Sequence, residues 1–380
     1  MNNDNLLFEK NAVRLNKKIS IRNKMIEYNN TSRIFNGITI NNIIKFVNTL
    51  QDKYSNQRIP IHFNLGYIEF EDKLSYIIFE CICNYLMQTG KRNVIISAMT
   101  NQSIWTEGIH SSPLLLLRKG KKENVEKYEQ KFKRDIYKNH YRKVIDITER
   151  EDPYYSCKLM SDIDSFLKVY SIGKSHRDMI SEVISELADN ANEHAKSDCL
   201  IDIDITSRYT KEEQEDGIYY GINIAILNFS DKLLGSSIAE KIMHKDILNS
   251  RHLNLIVAYN NHKDKFSTNY LEEDFYNIAS FQHKISGRLE NESTGGTGLT
   301  KLISRLEECS DTYNCYVVSG NRVVWFKHKY LLYNSDNWIG FNKENDFLNC
   351  IPSVENVNKC YIYMPGTAYN LNFVMKKEEI

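Results

Sequence analysis

The stretch ISELADNANEHAKSD, Ile184 to Asp198, sets Glu186, Asn190 and His194 four residues apart, with Glu193 beside the last. A four-residue step turns an α-helix by about 400°, so each member drifts only about 40° around the axis. The three polar side chains therefore share one face over two turns. Ile180, Val183, Ile184, Leu187, Ala191 and Ala195 fall on the opposite face, where an amphipathic helix packs on a sheet. Spacing alone fits both a solvated face and one wall of a site.

The neighbouring sequence supplies the sheet. A short helix over 162–172 and a loop ending at Gly173 lead into the long helix, 175–196. LIDIDITS (200–207) then alternates apolar and acidic residues, as a half-buried strand does. The polar loop KEEQEDG (211–217) joins it to IYYGINIAILN (218–228), predicting an antiparallel hairpin. A helix-rich insert covers roughly 236–290. STGGTGLTKLISRLEE (293–308) is a glycine turn feeding a helix whose core face is Leu299, Leu302, Ile303 and Leu306. CYVVSGNRVVWF (315–326) predicts a hairpin turning at Ser319 to Asn321, and KCYIYMPGTAYNLNFVM (359–375) one or two closing strands. Helices on one face of a sheet of this kind make an α+β sandwich.

Nearer the start, INNIIKFVNTLQDKY (40–54) has helical spacing and IPIHFNLGYIEF (59–70) reads as a strand. EDKLSYIIFECICNYLMQTG (71–90) is a mostly apolar helix stopped by Gly90, and NVIISAM (93–99) a short buried strand. Strand, helix, strand implies a small α/β unit with a parallel pair. RKGKKENVEKYEQKFKRDIYKNHYRKVID (118–146) is basic, but Glu123, Glu126, Glu129 and Asp135 interrupt it. It therefore reads as a solvated connecting helix rather than a nucleic-acid patch. The proline in TEREDPYY (148–155) marks the expected boundary between domains 1–150 and 151–380.

Bulk properties narrow the function. The 380 residues allow two or three cores. Lys+Arg and Asp+Glu are equal at 49 each, so no global charge draws the chain to nucleic acid or acidic lipid. No run approaches the ~18 apolar residues of a membrane span, and the first residues lack the apolar core of a secretory signal. The eight cysteines form no C-x-x-C pair, so they read as reduced thiols of a cytoplasmic protein rather than zinc ligands.

ELADNANEHA followed about a hundred residues later by GGTGL resembles the GHKL ATPase superfamily, which includes DNA gyrase, sensor histidine kinases and anti-sigma serine kinases. The likeness covers roughly 160–375, and E-x-x-x-N-x-x-x-H is closest in form to the anti-sigma kinases and some histidine kinases, whose last ATP-domain strand MPGTAYNLNF also resembles. It implies a Bergerat fold, helices on one face of a mixed sheet, with ATP and Mg²⁺ as cofactors. By that resemblance Asn190 coordinates Mg²⁺ and Glu186 orients or deprotonates the attacking water, while Glu193 and His194 lie near the phosphates. Gly295, Gly296, Thr297 and Gly298 match the glycine box that closes over them.

The family's other glycine box opens with an aspartate that takes the adenine amino group. This chain has NFSDKLLGSSI (228–238), with Asn228 in that place, Ser230 where the first glycine would sit, and Asp231 as the substitute carboxylate if the loop shifts by a few residues. Residues 240–292 would be the nucleotide lid, where His283, Lys284 or Arg288 can reach phosphate. Residues 57–100 resemble the STAS domains of bacterial anti-sigma-factor antagonists, with Asp72 and Lys73 near the place of that family's phosphorylatable serine and Ser75 already in the helix. Together the likenesses imply a nucleotide-dependent regulatory switch with a protein partner, compatible with a homodimer and without a membrane. The alternatives are a kinase acting on that partner and a non-catalytic interaction module. No phospho-accepting histidine helix precedes residue 175, which disfavours a self-phosphorylating sensor.

Overall fold

The computed structural model describes residues 1–15, 19, 21–55, 57–101, 104–120, 122–209, 219–244, 250–285, 298–310 and 314–377. The chain is of α+β class and builds two sheets with helices between and outside them. A short helix, α1 (Leu6–Lys10), precedes strands β1 (Ile21–Arg22), β2 (Met25–Asn29) and β3 (Ile34–Phe35). Helix α2 (Gly37–Tyr54), strand β4 (Ile61–Phe70), helix α3 (Lys73–Gln88) and strand β5 (Val94–Asn101) follow. β4 is the centre of this first sheet. It pairs in parallel with β5 on one side and with β2 and β3 in succession on the other, while β1 is antiparallel to β2. Gly66, at φ +66°, makes the bulge where the β4–β5 register shifts.

The second sheet begins earlier in the chain than the expected boundary at 150. Helix α4 (Lys122–Lys133) ends within the basic stretch, and the chain returns as the hairpin β6 (Arg134–Tyr137) and β7 (His140–Ile145). The single solvated connecting helix predicted over 118–146 is therefore corrected. Tyr141 and Ile145 of β7 join an apolar core, whereas His140 and Arg142 are buried on the other face. Their charges, typical of a solvated helix, concealed a buried strand.

Helix α5 (Tyr155–Lys168) and helix α6 (Lys174–Ala195) come next, then β8 (Cys199–Tyr209) and β9 (Tyr219–Asn228) as the expected antiparallel pair. The insert comprises α7 (Ser236–His244), α8 (Ser250–His262) and α9 (Glu272–Ala279). Helix α10 (Gly298–Cys309) leads to β10 (Tyr316–Trp325) and the long closing strand β11 (Val357–Lys376). The sheet order is β10-β11-β9-β8-β7-β6, and every pair is antiparallel rather than mixed. The hairpin expected at Ser319–Asn321 is instead an irregularity within one strand. The register against β11 shifts on both sides of Gly320, which takes φ +58°. Ser319 Oγ is held there by the Gly366 carbonyl at 2.7 Å and the Leu234 amide at 3.0 Å, so β10 bends with its partner and continues.

One face of the second sheet carries Ile201, Ile203, Ile222, Ile224, Ile226, Leu371 and Phe373, which pack on α5, α6 and α10. The other face is covered by the first unit. Leu200, Ala225, Leu227, Val318 and Ala368 share a core with the apolar residues of α2, α3 and β4. The molecule is thus four layers: sheet, helices, sheet, helices. Helix α3 lies between the two sheets and is buried from Lys73 to Met87, which explains a sequence apolar on all sides.

LIDIDITS consequently does not present its acidic face to water. Asp202 and Asp204 are buried against α3 and meet an equally buried set of cations. Lys73, only 1% exposed, lies 2.6 Å from Asp202 Oδ1 and also pairs with Asp204. Arg142 Nε donates to Asp202 Oδ2 at 2.5 Å and its far nitrogen pairs with Glu80 of α3. His140 Nε2 is 2.9 Å from Asp202 Oδ2, and Asn223 donates to Asp204 at 2.8 Å. Burial works against the Asp202 carboxylate, yet Arg142, Lys73 and His140 together hold its pKa well below the usual carboxylate range. Lys73 also stays charged, because the two aspartates outweigh the cost of its burial.

Candidate functional site

Helix α6 carries most of the predicted site residues, and its apolar face is buried as expected, with Ile180, Val183, Ile184, Leu187 and Ala191 in the core. The opposite face is half-exposed at Glu182, Glu186, Asp189, Asn190 and Glu193. Three of these are engaged. Glu182 pairs with Lys301 in the first turns of α10. Asp189 accepts from Ser156 Oγ of α5 at 3.0 Å. Glu193 pairs with Arg150 at 2.9 Å. Burial pushes the Asp189 carboxyl up, the negative Glu186 and Glu193 add to this, and the Ser156 bond opposes it. Glu186 and Asn190, by contrast, make no side-chain hydrogen bond or ion pair among the described residues. They stand one turn apart, on a face where each neighbouring acid has a partner.

His194 lies in the last turn of α6, while its side chain is outside the described residues. Gly295, Gly296 and Thr297 are also outside them. Gly298 is the first residue of α10, whose Lys301 links that helix to α6. The N-terminus of α10 thus comes directly after the glycine-rich sequence, and Lys301 ties this helix to Glu182 of α6. A helix N-terminus of this kind favours anions.

Asn228 ends β9 beside the C-terminus of α6, but both ends of its amide are occupied. Its Nδ2 donates to Ser197 Oγ at 2.9 Å and its Oδ1 accepts from the Thr367 amide at 3.3 Å. Ser230 Oγ donates to the Ala195 carbonyl at 3.0 Å, capping α6. Gly366 makes this junction tight: at φ +89°, a Cβ there would lie 2.5 Å from the Asn228 carbonyl oxygen. Asp231 points away into a 2.7 Å ion pair with Lys10 of α1 and is two-thirds exposed. Asn228 therefore braces the chain at the end of α6, and among the described residues Asp231 makes no side-chain bond to α6.

The insert is not a loose flap. Leu255, Ala258, Phe275, Ile278, Ala279 and Phe281 belong to the main core. Arg322 of β10 holds Asp274 of α9 through two bonds of 2.6 Å, both side chains being buried. Gln282 donates to the Ile339 carbonyl at 2.9 Å and accepts from its amide at 2.9 Å. The lid expected over 240–292 is thus built into the core across 250–285. His283 sits near Arg251, and burial, Arg251 and Lys284 lower its pKa. Lys284 is exposed, and Arg288 lies outside the described residues.

Arg150, Lys301, Ser156 and Ser197 were not singled out from the sequence. Only Ser197 lies within the motif stretch, and the others reach α6 from distant elements. Among the described residues there is no group of three or more His, Cys, Asp or Glu side chains placed to hold an ion, and no helix is long and apolar enough to cross a membrane. Comparison with family models, with curated proteins and with solved structures gives no match.

Proposed function

We propose that the protein binds Mg-ATP along the exposed face of α6 as a GHKL-type ATPase, and uses the nucleotide as a regulatory switch in the cytoplasm. The observation that carries this reading is the pair of half-exposed side chains Glu186 and Asn190, unengaged among the described residues, on a helix whose Glu182 pairs with Lys301 of α10. An amide oxygen suits Mg²⁺, which takes few protein ligands and many phosphate and water oxygens. In that role Asn190 holds the ion through one oxygen, Glu186 orients or deprotonates water, and the α10 N-terminus receives phosphate. A bound Mg²⁺ would supply positive charge against the phosphates.

The helices α5, α6 and α10 on one face of the second sheet support a Bergerat-type reading of the C-terminal part, although its pairing is antiparallel throughout. The parallel core of β4 and β5 supports a STAS-like reading of the first unit. Its α3 start is unlike a phospho-switch: Asp72 caps the helix by accepting from Ser75 at 2.7 Å, and Ser75 is buried. With the Asn228 amide used as a brace, the base end lacks the carboxylate that selects adenine in the family.

The test is incubation with ATP labelled at the γ-phosphate, alone and with cell extract. Release of free phosphate that Glu186→Ala abolishes supports the switch. Label transferred to a second protein supports a kinase acting on a partner. Neither product, together with no Mg-ATP binding, contradicts the proposal.

A further inference from the structure

We propose that the ion cluster buried between α3 and the second sheet is a coupling latch, through which the first unit controls the order of the C-terminal end of α6. Its use in switching rests on the nucleotide reading above, whereas the coupling itself does not.

Lys73 and Glu80 are seven residues apart and share one stripe of α3, with Tyr76 between them. That stripe faces Asp202 and Asp204 of β8 and Arg142 of β7. Adhesion alone does not call for charge here, because most of the remaining residues of α3 are apolar and buried. A buried ion pair adds little net stability over apolar packing, but removing one partner is strongly unfavourable. Such a cluster therefore fixes one position of α3 on the sheet and penalises every other.

The position it fixes is that of the chain leaving the site helix. β8 starts four residues after α6 ends, and Asp198 lies in the turn between them. Asp198 is itself buried and accepts from the Asn2 amide at 2.6 Å and the Ile147 amide at 3.3 Å. The first unit thus grips the chain at Asp198 and again at Asp202 and Asp204. Between those grips and Asn190 lie the last turn of α6 and the Ser197–Asn228 brace. A shift of α3 moves this end of the helix, and a ligand that reorders α6 acts back on α3 by the same linkage.

Hydrogen exchange on the full chain tests this without nucleotide. Lys73→Met is expected to speed exchange about tenfold or more in α3 and also over 190–199 and Asn2. Faster exchange confined to 73–80, with 190–199 within about twofold of the parent, overturns the latch. If Lys73→Met does not fold, Asp204→Asn replaces it, with the same two outcomes. Mg-ATP added to the parent separates the two proposals. Protection of α6 with no change in α3 contradicts the coupling. Absence of protection anywhere counts against the nucleotide site, and the comparison without nucleotide still decides the latch.

Discussion

Replacing Arg322 by Met measures whether the insert is a lid or part of the core. The guanidinium meets Asp274 through two bonds of 2.6 Å, and one of its nitrogens reaches the Asn269 carbonyl at 3.2 Å. The side chains are 2% and 0% exposed, so solvent screens the pair little. In the variant Asp274 keeps only its bond from the Leu271 amide, at 2.8 Å. A buried carboxylate deprived of its counter-ion costs about 3–5 kcal/mol. With an unfolding entropy of roughly 2.1 cal/mol/K per residue, 380 residues correspond to about 0.8 kcal/mol/K if the chain unfolds as one unit. The expected fall in Tm is then about 4–6 °C by calorimetry, and the double variant Arg322→Met, Asp274→Leu should recover most of it. A single variant that loses less than about 1 kcal/mol would mean that α9 is only loosely attached, and the account of the insert would fail. So would a double variant as unstable as the single.

The pH dependence is set in part by His262. Burial, with Lys265 nearby, lowers its pKa to about 4, while Nδ1 sits 2.7 Å from the Tyr270 hydroxyl. The unfolded chain binds the proton more readily, so this stability is present above about pH 6.5 and is lost as pH falls towards 4. The loss is about 2 kcal/mol after allowance for screening. Burial holds the Asp4 carboxyl up at about 6, which slopes the other way in the same window. The informative quantity is therefore the difference between parent and His262→Phe in urea titrations at pH 4.5 and 7.5, and parallel curves refute the assignment. Gly366→Ala places a methyl against the Asn228 carbonyl at a backbone angle suited to glycine, and should cost about 2 kcal/mol or more by thermal unfolding. An unchanged Tm would show that the β9 end yields more easily than its packing implies.

Much of the architecture was legible because helix and strand periodicities are strong. The α2, β4, α3, β5 order and the β8–β9 pair follow from spacing, and the apolar face of α6 is the one the motif predicted. What stayed hidden was tertiary. The acidic side of LIDIDITS and the cations of β7 each read as solvated, because a local pattern does not show that a distant helix will pair them. The apolar circumference of α3 was the available clue, since such a helix must be covered on every side. β10 carries Ser-Gly-Asn, which signals a turn, yet the length of β11 and the bonds to Ser319 keep the strand going. The site divides in the same way. Glu186 and Asn190 lie on the half-exposed face of α6 that helical spacing predicts, whereas the use of Asn228 as a brace depends on Ser197 and Thr367, which only folding brings near.

Binding of Mg-ATP on α6 is tested most directly by the Tm of the full chain with and without Mg-ATP, in the parent and in Asn190→Ala. A ligand that binds only the folded state stabilises it by about 2.7 kcal/mol at a concentration one hundred times its Kd. Mg-nucleotide binding at Asn190 predicts a rise in the parent that requires Mg²⁺ and is largely lost in Asn190→Ala. A parent whose Tm is unmoved by millimolar Mg-ATP, or a variant that responds like the parent, would contradict it.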